Sequence, residues 1–173
     1  ISPDAENAVT ATKKGWEFLG WNTDPDATEP LEDRMTGREN ITLYAIYKKT
    51  ITVSFYSGIE KQKVDQTITL YNREKTGNVT TPSLEDMPAW QAVGWNISTT
   101  DYAGGIPAGS AIPVSEDCDY YGIYQQPVTV SYDVNGGTPA PGDEKKNRYA
   151  NVHNSITYQN PTVILPPAVT RTG

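Results

Sequence analysis

The alternation of apolar and polar residues predicts strands with one buried face. Ile51, Val53 and Phe55 fall on one side of an extended chain, and the residues between them are Thr and Ser. The stretch just before, "LYAIY" at 43–47, is apolar or aromatic on both sides, which favours a central strand or one that packs on both faces. We therefore expect one strand to end and the next to begin almost directly after it.

This pattern occurs twice along the chain. The segment that starts at Ile41 aligns without gaps on the segment that starts at Cys118, and Tyr44 matches Tyr121, 77 positions later (121 minus 44). Because Cys118 takes the place of Ile41, we interpret this single cysteine as a small core residue rather than a catalytic thiol, which the acids around it would disfavour.

The tryptophans recur in the same way. "GWEFLGW" at 15–21 and "AWQAVGW" at 89–95 hold all four of them, 74 positions apart (95 minus 21). A group that recurs at a fixed interval is more often part of a repeated building unit than a site. We assign structural roles to the motif residues Trp16, Gly20, Trp21, Trp90, Gly94, Trp95, Tyr44, Tyr121, Asn135, Gly136 and Gly137.

Assembled in order, these segments predict a repeated domain. Residues 1–49 form the second half of one copy, residues 50–127 a complete copy, and residues 128–173 the first half of a following copy. The chain begins without a methionine, so we expect a fragment whose targeting signals lie elsewhere.

The residue usage predicts a β-rich chain. Thr, Tyr, Val and Ile are plentiful, and the 14 Gly and 13 Pro suit short strands joined by turns. The one candidate helical turn begins at Ser83 and is stopped by Pro88. "NGG" at 135–137 tolerates positive φ, so a strand over Val128–Val134 should end in a tight turn there.

In combination, these segments resemble the Listeria–Bacteroides repeat, the B-repeat type of internalin surface proteins. The motifs that carry the resemblance are "VTVSYDVNGGTPAPGDEKK", "GWEFLGWNTD" and "ITLYAIY". The middle copy departs from them, because "SFYSGIEKQ" lacks Asn-Gly-Gly and Ala92 stands where the first copy has Phe18.

The resemblance implies a fold and a role. It implies a β-rich α+β class with little helix, in which small β-grasp-like modules follow one another in tandem on secreted or cell-wall-attached bacterial proteins. Family members are thought to serve as stalks, spacers or adhesive segments, and no conserved catalytic site is known among them.

Charge and length narrow the partners. The net charge of −7 offers no basic stripe for nucleic acid or anionic membranes, and no apolar run approaches a membrane span. The sequence implies no cofactor, and its single histidine, His153, has neither Cys nor a second His to share a metal.

Two other features have a functional and a structural interpretation. The loop at 22–33 gathers acids that calcium favours but lacks the turn glycine and spacing of a calcium loop, so we interpret it as a solvated loop. Its acids are Asp24, Asp26, Glu29, Glu32 and Asp33. The tryptophans could bind sugars, but their repetition favours a role in the core and leaves exposed tyrosines as better contacts.

We therefore expect a non-catalytic repeat segment of an extracellular bacterial surface protein, acting as a stalk, spacer or adhesive module. The alternative is a module that binds a host glycan or matrix protein through its variable loops. The expected partners are neighbouring repeats of the same chain. The two half copies could also pair between molecules by strand exchange, giving a homo-oligomer.

Overall fold

A computed structural model of the protein describes residues 9–32, 39–102, 105–138, 141–153, 157–163, 165 and 170–171. These contain nine strands: β1 (Glu17–Asn22), β2 (Tyr44–Ser57), β3 (Gln62–Tyr71), β4 (Gly77–Thr80), β5 (Gln91–Asn96), β6 (Ala111–Val114), β7 (Cys118–Val130), β8 (Glu144–Asn151) and β9 (Thr157–Gln159). The described residues contain no helix, so the expected β-rich class with little helix is confirmed. The β-grasp topology and the tandem arrangement stay predictions.

The candidate helical turn at Ser83 is wrong. Instead, Met87 and Trp90 exchange backbone hydrogen bonds of 2.9 and 3.0 Å across Pro88 and Ala89. Pro88 followed by the positive φ of Ala89 (65°) matches the central residues of a type II turn, which reverses the chain before β5.

Two long strands replace the expected strand–link–strand segments. β2 runs without interruption through Lys49 and Thr50, and β7 runs through Pro127. The expected link residues are themselves paired, since Lys48 lies opposite Glu17 and Gln125 lies opposite both Gln91 and Tyr149. Cross-strand pairing on these residues keeps the backbone extended.

The chain forms two compact units. Unit 1 consists of residues 1–53, 66–79 and 111–117, and unit 2 consists of residues 54–65, 80–110 and 118–173.

In unit 1, β1 lies antiparallel to the first part of β2, and β3 also pairs with β2. β4 and β6 pair separately in a two-stranded sheet. The apolar side chains buried in this unit come from β2, β3, β4 and β6: Ile46, Ile51, Val53, Leu70, Val79, Ile112 and Val114.

In unit 2, β7 is the central strand, with β5 antiparallel to it through residues 121–125 and β8 through residues 123–130. β9 pairs with the far side of β8. A buried cluster lies around the β7 tyrosines and consists of Met87, Tyr121, Tyr124, Ala150 and Val152.

The strand predicted over Val128–Val134 is shorter than expected, because β7 ends at Val130, where its partner β8 begins at Glu144. The tight turn does form beyond it. Gly137 donates its N–H to the carbonyl of Val134 at 2.9 Å, and Asn135 and Gly136 have φ of 49° and 80°. Two successive positive φ values are the signature of a type I′ turn.

Candidate functional site

Both tryptophan hairpins contain a bulge at the same place. In β1, Phe18 lies opposite Tyr47 and Gly20 lies opposite Ile46, so one intervening residue, Leu19, is left out of register. β5 repeats the irregularity between Ala92 and Gly94 against β7. A bulge of this kind redirects the side chain that follows it, which here is the second tryptophan of each motif.

The glycine of each bulge is required by its conformation and its surroundings. Gly20 and Gly94 have φ of 143° and 157°, values that favour glycine. A Cβ on Gly20 would lie 2.6 Å from Cβ of Pro30, and one on Gly94 would lie 2.5 Å from the carbonyl oxygen of Ile106. The close approach lets the chain after each tryptophan return and bond to it, through Leu31 at Trp21 and Ile106 at Trp95.

The second tryptophan of each motif is fixed by its indole nitrogen. Trp21 donates to the carbonyl of Val9 at 2.7 Å, and Trp95 donates to the carbonyl of Pro82 at 2.9 Å. Trp95 is 1 % exposed and meets the ring of Phe55 edge-on with centroids 5.1 Å apart, whereas Trp21 is half-buried.

The first tryptophan of each motif lies beneath a cation. The ammonium of Lys13 lies 3.5 Å from the ring centroid of Trp16, and the guanidinium carbon of Arg148 lies 5.5 Å from that of Trp90. Both tryptophans are half-buried. These rings therefore have a cation–π contact on one face rather than complete enclosure.

Two asparagines organise the loops after the tryptophans, and sequence reasoning missed both. Asn72 donates to the carbonyls of Pro25 and Ala27 at 3.1 and 2.7 Å. Asn151, fully buried, donates to the carbonyls of Ser98 and Asp101 at 3.0 and 2.9 Å. Their spacing of 79 (151 minus 72) is the signal that could have revealed them, since it is close to the repeat interval.

The other motif residues have roles that differ from those of the hairpin glycines and tryptophans. Tyr44 begins β2 and is half-buried, while Tyr121 on β7 is buried and stacks on Tyr56 at 5.6 Å. His153 meets Tyr121 edge-on at 4.7 Å. Asn135, Gly136 and Gly137 form the type I′ turn after β7.

Unit 2 contains a groove of about 600 Å³ beside Trp95. Trp95 and Tyr124 form its inner wall, and Ile59 and Val64, 62 % and 48 % exposed, lie at its rim. The hydroxyl oxygen of Tyr124 accepts the N–H of Gly58 at 3.0 Å, and burial raises the pKa of this phenol. The charged side chains lining the groove are the carboxylates Glu60, Glu85 and Asp86.

Two carboxylates in unit 2 have lowered pKa values. The hydroxyl of Ser54 donates to Asp65 at 2.6 Å, and this bond, followed by the bond from Lys63, lowers the pKa of Asp65. The hydroxyl of Tyr132 donates to Glu144 at 2.9 Å and lowers the pKa of that carboxyl similarly.

In the acidic loop of unit 1, side-chain oxygens accept hydrogen bonds from backbone N–H groups of the same loop. Asn22 accepts the N–H of Asp24 at 3.0 Å, and Asp24 accepts the N–H of Asp26 at 2.9 Å. Asp33 lies outside the described residues. In the part of the chain that the structure describes, no three His, Cys, Asp or Glu side chains come together as metal ligands.

The expected core position of Cys118 is wrong. Cys118 is half-buried and its counterpart Ile41 is 44 % exposed. Cys118 is the first residue of β7 and Ile41 precedes β2, so neither lies in the interior of a strand. Among the described residues, no helix has the length and apolar character to cross a membrane.

The paired hairpins, each with a glycine bulge, an anchored indole and a loop fixed by asparagine, define a β-rich repeat module. Residues 4–46 match the Listeria-Bacteroides repeat domain. This match covers one segment of the chain and supports the resemblance to that family seen in the sequence motifs. Comparison with the curated proteins and with the solved structures gave no match.

Proposed function

We propose that this chain is a non-catalytic spacer segment of a secreted or cell-wall-attached bacterial surface protein. The repeat it contains is typical of bacterial surface proteins, which supports an extracellular location. A spacer must connect one repeat to the next without a flexible linker between them.

One observation carries this proposal: each predicted repeat junction lies within a single strand. The junction at 49/50 lies within β2 and inside unit 1, and the junction at 127/128 lies within β7 and inside unit 2. At the junction 127/128, β8 pairs with β7 on both sides, from Ile123 to Val130, and β5 pairs with β7 before it. This pairing supports repeats that are joined by sheet hydrogen bonds rather than by a flexible linker.

Amide hydrogen exchange of the whole chain tests this proposal. We expect the amides of residues 47–52 and 124–130, apart from Pro127, to exchange as slowly as those of the buried strand centres, because the junctions open only when the unit unfolds. Fast exchange confined to the junctions would show hinges and contradict a spacer that resists bending there.

A second candidate function, adhesion, is favoured by the groove in unit 2. Its exposed aliphatic rim suits a host protein segment or a glycan, as the variable-loop alternative requires. Binding of the whole chain to arrays of glycans and matrix proteins tests it, with Ile59→Ser and Val64→Ser as variants that leave the Trp95 wall intact. Saturable binding lost in both variants would favour adhesion over a spacer alone.

The strand-exchanged homo-oligomer belongs to the same proposal as a further partner mode. Light scattering over a range of protein concentrations tests it, and a strict monomer at the highest concentration would contradict it.

A further inference from the structure

Two of four equivalent positions of the hairpin scaffold are apolar in unit 2 and cationic in unit 1. In unit 2 the four positions hold Met87, Tyr121, Tyr124 and Val152, all between 1 % and 8 % exposed and packed in one apolar cluster. The equivalent residues of unit 1 are Lys13, Tyr44, Tyr47 and Arg73. Two cations therefore replace the two aliphatic side chains, while both tyrosines are kept.

Backbone geometry establishes the equivalence at the first position. Trp90 donates its N–H to the carbonyl of Met87 at 2.9 Å, and Trp16 donates to Lys13 at 3.0 Å. The residue preceding each tryptophan has a similar positive φ, 65° in unit 2 and 78° in unit 1. Lys13 thus begins the same turn as Met87.

The loop-binding asparagines establish the equivalence at the fourth position. Val152 follows Asn151, and Arg73 follows Asn72. Because each asparagine holds the loop after its own tryptophan, the residue that follows it has the corresponding place beside that loop.

In unit 1 these positions surround an open pocket of about 230 Å³. Its lining consists of Lys13, Pro25, Tyr44, Ala45, Tyr47, Asn72 and Arg73, and it contains no carboxylate. Arg73 also lines a neighbouring cavity together with Asp26 and Glu74, and the carboxylate of Glu74 accepts the N–H of Tyr71 at 2.6 Å.

The two cations of the pocket are not neutralised by acids. In the described part of the chain, neither Lys13 nor Arg73 forms an ion pair. The Lys13 ammonium donates to the backbone carbonyl of Asn72. Burial, and then repulsion from Lys49, lowers the pKa of Lys13, as expected of a cation without a carboxylate partner. A bound anion would supply that partner.

We propose that this pocket binds an acidic sugar, with the carboxylate on Lys13 and Arg73 and the ring against Tyr44 and Tyr47. Arg binds a carboxylate through two parallel hydrogen bonds, and tyrosine faces take the apolar side of a sugar ring. The volume is below the roughly 300–1,000 Å³ of pockets for drug-sized ligands, so it suits one ring. This site goes beyond the spacer role and does not depend on it.

The test is titration of the ¹⁵N-labelled whole chain with glucuronate, followed through amide chemical shifts. Glucose is the neutral matched sugar and sodium sulfate the anion without a ring. We expect glucuronate alone to shift the amides around Lys13 and Asn72 in a saturable manner. Raising ionic strength from 0.01 to 0.15 M, which shortens the Debye length from about 30 to about 8 Å, should weaken the binding.

Two variants copy unit 2 into unit 1: Lys13→Met and Arg73→Val. Since Met87 and Val152 occupy these positions in a folded unit, the variants are expected to fold, and their amide spectra check this directly. Each should weaken glucuronate binding about tenfold, because each removes one charge-assisted contact. Lys75→Met, a change at an exposed residue that does not line the pocket, is the matched control and should bind as the wild type does.

Three results would overturn the proposal. They are the absence of saturable shifts with glucuronate, equal binding of glucose or sulfate, and unchanged affinity in the folded Lys13→Met and Arg73→Val variants. None of these results would contradict the spacer proposal, which is tested by amide hydrogen exchange at the strand junctions.

Discussion

The hairpins of Trp21 and Trp95 share a backbone plan but differ in what surrounds it. Both have the bulge glycine, the anchored indole and the asparagine-fixed loop. Trp95 is buried against Phe55, while Trp21 is half-buried and meets Phe18 of its own strand at 5.6 Å. The plan is therefore set by backbone requirements, and the packing around it varies from copy to copy.

The largest expected difference between the hairpins concerns the indoles. Trp95→Ala should lower the free energy of unfolding by about 4 kcal/mol, since it leaves a cavity in a closed core. Trp21→Ala should cost about 2 kcal/mol, because water can enter a half-buried site. Urea unfolding measured by circular dichroism compares the two, and equal losses would show that burial does not separate the hairpins.

The bulge glycines should separate the hairpins next. Gly94→Ala is expected to cost about 3 kcal/mol, because the added methyl meets the Ile106 backbone within the ladder to Trp95. Gly20→Ala should cost about 1.5 kcal/mol, since its obstacle is the Pro30 side chain in a loop. Gly142→Ala, whose Cβ would meet nothing, is the control. A larger loss at Gly20 than at Gly94 would reverse this argument.

The asparagines give a smaller contrast. Asn151→Ala should cost about 2 kcal/mol, because two carbonyls lose their donor around a fully buried side chain. Asn72→Ala should cost about 1 kcal/mol, since water can replace its bonds at a half-buried position. Asn147→Ala, at an exposed residue, is the control, and the same unfolding assay decides.

The smallest effect is a pH dependence within unit 2. A carboxyl whose folded pKa is lowered contributes stability above its unfolded pKa and loses it as pH falls through the folded pKa. For Asp65 the loss therefore begins near its ordinary value of 3.8 and continues below it. Ser54→Ala removes the principal cause, so an NMR titration should show the pKa of Asp65 rising toward 3.8. An unchanged pKa in this variant would assign the shift to Lys63 instead.

Much of the fold could be predicted from local patterns. The strands around Ile51 and Tyr121, the turn at Asn135 and the β-rich class follow from alternation and turn chemistry, which act between near neighbours. The helical turn at Ser83 was wrong because its candidate residues instead lead into the Met87–Trp90 turn that starts β5. The core position of Cys118 was wrong because matching it to Ile41 shows equivalence, not depth.

The candidate sites were harder to predict. Asn72 and Asn151 differ little from other asparagines until their amides meet loop carbonyls that lie 45 to 53 residues away along the chain. The pocket of unit 1 depends on Lys13 and Arg73 meeting across 60 positions of sequence (73 minus 13). No local sequence pattern predicts that two side chains so far apart in the chain will line the same pocket.

The sequence by itself determined the repeat, its interval, its glycines and its tryptophans. Local backbone conformation requires these residues, so they recur wherever the same turn is made. Only the tertiary structure decided which tryptophan is enclosed, which asparagines hold the loops, and where a cationic pocket replaces an apolar core. Those outcomes depend on long-range contacts, which set burial and local charge after the strands have formed.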